Sequence, residues 1–260
     1  MKVFHGEVSS EYLQKAADIF LPIKHHSYKK MNISNGNIIA DIGCGPGVDV
    51  AELSKMVGKD GEVFGYDHDQ EMLKSAIQNC RQLSTIQQAN LIQGSAEKLP
   101  FRNGLFDSCR SERLFMHLKQ PEQTLLEIKR VTKDNGYVVV VETDWASLSI
   151  DTQLPGVERT LSHYRMSHMM NNGYSGRSLY RQFKKCGFSH IEVEVFPIIA
   201  TDINLFYSLS VQQIVENQAL ANHAITEQEL NHWRTDLQRA ATDDSFYACI
   251  NVLVVSAQKS

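Results

Sequence analysis

Two acidic residues and a glycine-rich turn lie where two predicted strands end, and they form the part of the chain best suited to chemistry. Asp41 lies near the end of the β-branched run over residues 38–42, and three glycines follow it within residues 43–47. Glycine lacks a Cβ atom, so this turn lets a ligand approach the main chain closely. Residues 48–53 begin a predicted helix whose N–H groups point back at the turn. A second acidic residue, Asp67, follows the next predicted strand, so the sequence predicts a ligand site flanked by two carboxylates.

The charges at this turn favour a cationic ligand over an anionic one. A nicotinamide dinucleotide would place its anionic pyrophosphate here, and its G-x-G-x-x-G pattern would need glycine where this chain has Val48. The turn contains Asp41 and no Lys or Arg, which suits an ammonium group, and Asp67 can accept hydrogen bonds from both hydroxyl groups of a ribose. S-adenosylmethionine carries an ammonium, a sulfonium and a ribose, so we predict that it is the cofactor. A nicotinamide oxidoreductase is disfavoured, and the two acids could instead be ordinary turn residues.

Four segments, in order, resemble the motifs of class I S-adenosylmethionine-dependent methyltransferases. Residues 41–47 (DIGCGPG) resemble motif I of that family. Residues 94–101 (GSAEKLPF) resemble the adenine-side segment of the subgroup that includes ubiquinone and menaquinone C-methyltransferases. Residues 106–118 resemble its fourth-strand motif, and residues 130–137 (RVTKDNGY) resemble its R-V-L-K-P-G-G turn, with Asp-Asn in place of Pro-Gly. The resemblance covers residues 30–145.

This resemblance implies a site for S-adenosylmethionine and its product S-adenosylhomocysteine, built from these four segments. Two of the implied contacts depend on the resemblance alone, because a methionine such as Met72 usually packs in a core and a loop carboxylate such as Glu97 is usually only solvated. The implied cofactor-binding residues are Asp41, Gly43, Cys44, Gly45, Asp67, His68, Met72, Ser95, Ala96, Glu97, Ser111, Glu112 and Arg113.

The segment after the fourth predicted strand supplies the candidates for catalysis. Ligands of open α/β sheets sit outside the carboxyl ends of the strands, which brings Glu112 and His117 near the transferred methyl group. His117 is the predicted general base and Glu112 the second catalytic candidate, although a purely structural histidine is the competing interpretation. Residues 111–114 (SERL) lack the Asn/Asp-Pro-Pro-aromatic segment expected of a DNA amino-methyltransferase, which disfavours a nucleic-acid substrate.

The order of the predicted elements indicates an α/β fold with a doubly wound, mostly parallel seven-stranded sheet, that is, a Rossmann-like methyltransferase fold. We predict N-terminal helices over residues 9–31 with a break before Pro22, a helix over residues 155–170 and another over residues 203–222. The predicted strands cover residues 38–42, 62–66, 89–93, 105–110, 137–141, 191–196 and 246–255, the last two as an antiparallel pair.

These elements predict one methyltransferase domain over residues 1–260. Tyr12 and Tyr28 are expected near the methyl donor if the N-terminal helices form a lid, and packing of these helices against the edge of the core is the alternative. The predicted parts are the lid (1–35), the cofactor-binding core (36–145), a helical substrate cap (146–245) that carries the edge strand 190–196, and the last strand (246–260).

Composition narrows the functional classes. With 42% hydrophobic and 22% charged residues the chain is typical of a globular protein, and a net charge of −4 disfavours non-specific binding to nucleic acid. Its five cysteines are scattered without a C-x-x-C pair, which predicts neither a zinc site nor a disulfide framework and suits the cytoplasm.

No apolar run reaches the length that a membrane crossing needs, so no membrane partner is expected. His163 and His168 are five positions apart, a poor spacing for metal ligands on a helix, and no metal is predicted.

The sequence therefore predicts a cytoplasmic methyltransferase that moves a methyl group from S-adenosylmethionine to a small, partly apolar acceptor by in-line displacement. A non-catalytic S-adenosylmethionine-binding regulator or scaffold is the alternative. Quinone C-methylation stays open, whereas arsenite methylation is set aside because the cysteines offer no arsenic site. The acceptor, the methylated atom and the formation of a homodimer are not determined by the sequence.

Overall fold

The computed structural model describes the backbone of residues 10–260 and the side chains of residues 19–260. Within this part, helix α1 (Ser10–Lys30) is continuous and contains Pro22, so the predicted break before that proline is wrong. A proline removes one helical hydrogen bond, but Tyr28 is buried further along the helix, and such tertiary packing stabilises a helix beyond its local propensity. The side chain of Tyr12, predicted to lie near the methyl donor, is outside the described side chains.

In the described part of the chain, seven strands form one sheet, and their bounds are β1 (Ile38–Ile42), β2 (Glu62–Asp67), β3 (Ala89–Gln93), β4 (Phe106–Glu112), β5 (Thr132–Ile150), β6 (Ser189–Ala200) and β7 (Ala248–Gln258). Their order across the sheet is β3-β2-β1-β4-β5-β7-β6, and β1 to β5 pair in parallel. The amide of Asn135 donates to Lys259 and the amide of Asp151 donates to Tyr247, so β7 runs antiparallel to β5. The predicted doubly wound, mostly parallel seven-stranded sheet is confirmed.

Helices connect the strands, and two further short turns follow β4 and α5. The first is a 3₁₀ turn over Phe115–His117, and the second is a π-helical turn over Arg165–Met169. The helices after α1 are α2 (Val48–Val57), α3 (Gln70–Gln82), α4 (Pro121–Val131), α5 (Pro155–Tyr164), α6 (Ser175–Lys185), α7 (Ile203–Ser210), α8 (Gln212–Ala221) and α9 (Glu227–Thr242).

The strand order reverses between β1 and β4, which are neighbours in the sheet although β2 and β3 separate them in sequence. Residues 39–41 of β1 pair with residues 108–110 of β4. Both strands are almost wholly buried, as expected of parallel strands covered on both faces. Ligands of open α/β sheets bind outside the carboxyl ends of the strands at such a reversal. The fold therefore places the predicted site residues of β1 and β4 at the same edge of the sheet.

Several elements differ from their predicted bounds, and three of these differences have a physical reason that can be named. The sequence predicts β5 over residues 137–141, whereas the strand continues to Ile150, because residues 142–149 are mostly polar or small and hide the strand pattern. The helix predicted over residues 155–170 changes into a π-helical turn after Tyr164. The helix predicted over residues 203–222 is interrupted at Val211, whose φ of 46° is left-handed and cannot continue an α-helix.

The chain divides into two compact units, each with its own apolar core. The sheet unit comprises His25–Thr143, Tyr174–Phe196 and Val252–Ser260. The helical unit comprises Asp144–Gly173, Pro197–Asn251 and the described residues up to Lys24. The predicted division into lid, core and cap of one domain stays a prediction. None of the described helices is both long enough and apolar enough to cross a membrane.

Candidate active site

Every backbone N–H group of the turn over residues 43–47 already has a partner within the protein. The acceptors are the carbonyl oxygen of Tyr66 for Gly43 and Cys44 (2.7 and 3.2 Å), the carboxylate of Asp67 for Gly45 (2.8 Å) and the carbonyl oxygen of Cys44 for Gly47 (3.0 Å). The remaining residue is a proline, which has no N–H. A phosphate-binding turn presents its N–H groups to the anion. This turn therefore lacks the donors that a pyrophosphate needs.

The glycines of the turn serve two different purposes. All three have positive φ angles, of 79° at Gly43, 50° at Gly45 and 73° at Gly47. A Cβ atom built at Gly47 would lie 2.6 Å from Cβ of Ala76, so this glycine allows α2 and α3 to pack closely. A Cβ atom built at Gly45 meets no atom of the described residues within 4 Å. The turn thus faces open space at Gly45, where a ligand can approach the main chain.

Asp67 lies at the carboxyl end of β2 with its carboxylate fixed by two backbone amides. Oδ2 accepts from Gly45 at 2.8 Å and Oδ1 accepts from Asp69 at 2.9 Å. Nδ1 of His68 lies 3.3 Å from Oδ1, and the His68 side chain is itself 83% exposed. An ionised carboxylate can accept about four hydrogen bonds, so Asp67 can also accept from two hydroxyl groups. This arrangement fits the ribose role predicted from the sequence.

Arg110 lies fully buried on β4, in register with Asp41 on β1. Its Nη1 atom lies 3.6 Å from Oδ1 of Asp41 and 3.3 Å from Oδ2 of Asp49. Its Nη2 atom donates to Glu112, and its Nε atom donates to Oγ of Ser27 at 3.0 Å. The turn itself contains no Lys or Arg, but strand pairing brings Arg110 beside it.

Tyr28 completes this group of charged residues, which we call the acidic cluster: Asp41, Asp49, Glu112, Arg110 and Tyr28. The Tyr28 hydroxyl donates to Asp49, and the Arg110 guanidinium lies 5.1 Å from the centre of the Tyr28 ring. Burial, reinforced by the charge of Asp49, raises the pKa of Tyr28, so its hydroxyl stays protonated and remains a donor.

The acidic cluster has more negative than positive charge. When ionised, Asp41, Asp49 and Glu112 supply three negative charges, whereas Arg110 supplies one positive charge and Arg113, outside the cluster, pairs with Glu112 at 3.4 Å. Burial by itself would lower the pKa of Arg110, but the surrounding carboxylates raise it, so the guanidinium keeps its charge. A cationic group that approaches the cluster is attracted, and an anionic group is repelled.

The residues predicted to contact adenine lie after β2 and β3, two neighbouring parallel strands. Asp67 and Gln93, the last residues of these strands, are register partners. Met72 is half-buried in the first turn of α3, and Ala96 and Glu97 are half-buried in the loop after β3. Ser95 is exposed, and its Oγ atom accepts from the amide of Glu97 at 3.3 Å. Strand pairing thus groups the predicted adenine and ribose contacts at one end of the sheet.

The predicted site residues at the carboxyl end of β4 and just after it differ in their exposure. Ser111 is fully buried within β4, so its side chain is closed to a ligand in this structure. The Glu112 side chain is 6% exposed and pairs with Arg110 and, at 3.4 Å, with Arg113. Arg113 has a φ of 51° and a side chain that is 53% exposed. Glu112 therefore belongs to the buried charges, whereas Arg113 faces outward.

His117 is an exposed residue at the end of the 3₁₀ turn, and its imidazole is held in the neutral form. Partial desolvation lowers its pKa, and the positive charges of His68 and Arg113 lower it further. A neutral imidazole can accept a proton at neutral pH. The geometry is therefore compatible with the predicted role of His117 as a general base.

Glu142 is a buried carboxyl group that sequence reasoning missed. It follows the run of four valines in β5, and its Oε2 atom accepts from the amide of Met116 at 3.1 Å while Oε1 accepts from the amide of Thr143 at 3.1 Å. Burial raises the pKa of Glu142 to about 8, although its backbone donors act in the opposite direction. Glu142 thus fixes the 3₁₀ turn that carries His117. A glutamate directly after four valines is the signal that could have identified it.

The sequence pattern of a family described as a methyltransferase domain matches residues 33–235. The chain belongs to the methyltransferase domain family. The matched residues of this methyltransferase domain include Asp41, Asp67 and His117. Among the residues described, no group of three or more His, Cys, Asp or Glu side chains is arranged to hold a metal ion.

Two curated proteins illustrate the relationships of this methyltransferase domain. An uncharacterized 37.1 kDa protein in transposon TN4556 of Streptomyces fradiae is 32% identical over 192 residues, which cover 72% of this chain and 55% of that protein. The demethylmenaquinone methyltransferase of Staphylococcus saprophyticus is 27% identical over 182 residues, which cover 65% of this chain and 77% of that protein. The chain thus spans about half the length of the first relative and about three quarters of the second.

A solved structure shows the same fold at low sequence identity. The geranyl diphosphate C-methyltransferase of Streptomyces coelicolor, in complex with S-adenosyl-L-homocysteine, matches with a TM-score of 0.60 and 13% identity. The match covers 100% of this chain and 88% of that one. The predicted class I methyltransferase fold and its relationship to quinone C-methyltransferases are confirmed. At this identity the structural likeness extends to the fold alone, so the roles of individual residues depend on the geometry above.

Proposed function

We propose that this methyltransferase domain binds S-adenosylmethionine and transfers its methyl group to a small, partly apolar acceptor. The observation that supports this most directly is the combination of a turn whose amides are all engaged with a buried cluster in which carboxylates outnumber the guanidinium. Such a site disfavours a pyrophosphate and favours a cationic amino-acid head. The open space at Gly45 and the fixed carboxylate of Asp67 would accommodate the nucleoside part of the cofactor in the same site.

Different residues would bind different parts of the cofactor. Asp67 would accept from the ribose hydroxyls, and Met72 and Glu97 would contact the adenine. Asp41, Asp49 and Glu112 would attract the positive charges of the methionine part. Bound S-adenosylmethionine supplies a methyl group that its sulfonium charge has already activated. The protein then needs to align the acceptor and exclude water, and alignment of this kind can lower a barrier by about 7–11 kcal/mol.

His117 is the proposed general base for an acceptor that must lose a proton during transfer. Its lowered pKa keeps it neutral, and the link from Glu142 to Met116 fixes the turn that carries it. A positioned general base typically accelerates a reaction by about 10²–10⁴-fold. Glu112 pairs with Arg110 and Arg113. We therefore propose that its carboxylate attracts the cationic methyl donor and helps to orient it.

The acceptor is proposed only by class. Similarity to a demethylmenaquinone methyltransferase makes a quinone-like aromatic carbon the first acceptor to test. The helical unit is the proposed source of acceptor selection. All five cysteines are free, which supports the proposed cytoplasmic location.

Isothermal titration of the purified chain with S-adenosylmethionine, S-adenosylhomocysteine and NADH tests the cofactor proposal. We expect binding of the first two and none of NADH. Binding of NADH alone, or of none of the three, would contradict the proposal. Transfer of labelled methyl groups to a panel of small acceptors that includes a demethylmenaquinone analogue then tests the reaction. Binding without transfer to any panel member would favour the regulatory or scaffold alternative.

A further inference from the structure

The helical unit contains a buried arginine that the proposed methyl transfer does not use. Arg165 begins the π-helical turn after α5 and is 1% exposed. Its guanidinium lies 4.8 Å from the centre of the Trp145 ring. Nη1 donates to the carbonyl oxygen of Ser210, and Nη2 donates to Oε1 of Gln212 at 2.6 Å. π-Helical turns occur frequently at functional sites, because the extra residue redirects the side chains of one turn.

The guanidinium of Arg165 is charged and buried, and no carboxylate among the described residues lies within ion-pair distance of it. Burial lowers its pKa to about 10. Glu216 is the one carboxylate that offsets this effect, but it already pairs with Arg234 at 2.8 Å and accepts from Trp233 at 2.9 Å. A buried charge without a partner is costly, so Arg165 favours the approach of an anion.

Two N–H donors beside a small cavity have no hydrogen-bond partner among the residues that the structure describes. They are Nε of Arg165 and Nε2 of Gln212, and both side chains are about 1% exposed. Both residues line a cavity of about 10 Å³, and its other walls are mostly apolar. This volume suits one water-sized species and excludes a carboxylate, sulfate or phosphate group.

Glu158 is the acidic residue in the wall of this cavity. It is half-buried, and the nearby backbone amide of Ile150 favours its charged form. Burial raises the pKa of Glu158. Its negative charge opposes an anion, so protonation of Glu158 at lower pH should strengthen anion binding. A cation site is disfavoured, because both unpartnered groups are donors and one carries a positive charge.

We propose that this cavity binds one small monovalent anion of halide size, held by Nε of Arg165 and Nε2 of Gln212. The apolar walls suit chloride or bromide, since both are weakly hydrated and accept hydrogen bonds from any direction. Such an ion would be a structural ligand of the helical unit, independent of the cofactor site in the sheet unit.

Thermal unfolding of the full chain in different salts tests the proposal. Sodium gluconate is exchanged for sodium chloride or bromide at a constant ionic strength of about 0.15 M, at which general screening is unchanged. We expect both halides to raise Tm by about 3–5 °C once they exceed Kd about tenfold, whereas sulfate has no such effect. Crystals soaked in sodium bromide should show an anomalous peak between Arg165 and Gln212. A water at this position without a bromide peak, or equal Tm values in all salts, would overturn the proposal.

Three variants test whether the rise of Tm in halide arises at this cavity. Arg165→Met should abolish the halide dependence, while Arg159→Met, an exposed arginine on α5, should keep it. Gln212→Glu is the decisive variant, because it retains the acceptor for Nη2 and adds an internal negative charge beside Arg165. We expect Gln212→Glu to be at least as stable as the natural chain in gluconate and to gain nothing from halide. Full halide dependence in Gln212→Glu would contradict the assignment, even if Arg165→Met does not fold.

Discussion

Asp41 and Arg110 are register partners on the parallel strands β1 and β4, and Nη1 of Arg110 lies 3.6 Å from Oδ1 of Asp41. This pairing decides how negative the proposed methyl-donor site is. Without Arg110, the carboxylates of Asp41, Asp49 and Glu112 would be close together in a buried place and would lack the guanidinium that lies near all three. With it, the cluster still has an excess of negative charge for the cofactor when the three carboxylates are ionised.

Replacement of Arg110 by methionine should destabilise the chain by about 3–5 kcal/mol, because it leaves buried carboxylates without their partner. The free energy of unfolding from urea titration measures this effect. Arg102→Met is the matched control, since Arg102 is exposed and its replacement should change stability by less than about 0.5 kcal/mol. Similar losses in the two variants would contradict the central role of Arg110.

Replacement of Asp67 by alanine should weaken the binding of S-adenosylmethionine by about 10–100-fold, because charge-assisted hydrogen bonds to the ribose are lost. Isothermal titration measures the change in Kd. Asp69→Ala is the control, because Asp69 caps α3 through the amides of Glu71 and Met72 without the proposed ribose contact. That variant should lose about 1 kcal/mol of stability and keep most of its affinity. Equal losses of affinity in the two variants would mean that Asp67 supports binding only by fixing the loop around residues 67–69.

The two glycines of the turn should respond differently to alanine. Gly47→Ala places a Cβ atom 2.6 Å from Cβ of Ala76, so we expect a lower Tm from displaced packing of α2 and α3. Gly45→Ala meets no neighbouring atom, so its main effect should be weaker cofactor binding, beyond the strain of its left-handed backbone. Thermal unfolding and titration of both variants separate the two roles. A larger affinity loss in Gly47→Ala would reverse the assignment.

The sequence predicted most of the strands and the carboxylate-flanked glycine turn because they depend on local patterns. A β-branched run, a glycine turn and an acidic residue follow one another within residues 38–47, and a local motif needs no knowledge of the fold. Arg110 could not be assigned in this way, since its meeting with Asp41 depends on the pairing of β1 with β4. The continuation of β5 was missed because polar residues dominate after Glu142, and packing overrode the pattern there.

Replacement of His117 by alanine should leave the affinity for S-adenosylmethionine nearly unchanged and lower kcat by about 10²–10⁴-fold with a protic acceptor. In the natural chain, kcat/KM should fall only below pH about 6.5, because partial desolvation and the charges of His68 and Arg113 lower the pKa of His117. This fall in kcat/KM at low pH should be absent from the variant. Steady-state rates across pH measure both effects, and loss of cofactor binding in His117→Ala would contradict the role of a base.

Glu142 should make the stability of the protein depend on pH. Its folded-state pKa is about 8, whereas an unfolded glutamate titrates near pH 4.3, so the folded chain binds more protons between these values. Stability contributed by protonated Glu142 is therefore fully present below about pH 4.3 and declines as the pH rises through about 8.

Glu142→Gln imitates the protonated form and keeps an acceptor for the amide of Met116. The test covers pH 6 to 9, a range of about three units around this pKa. Over this range Tm should decline less in the variant than in the natural chain. Glu97→Gln, at a half-buried loop carboxylate, is the control and should follow the natural chain. Thermal unfolding across this range measures the difference. Parallel curves for all three proteins would mean that Glu142 is ionised in the folded state. In that case its hold on the His117 turn would be that of a charged acceptor, and Glu142→Gln should instead lower Tm at every pH in the range.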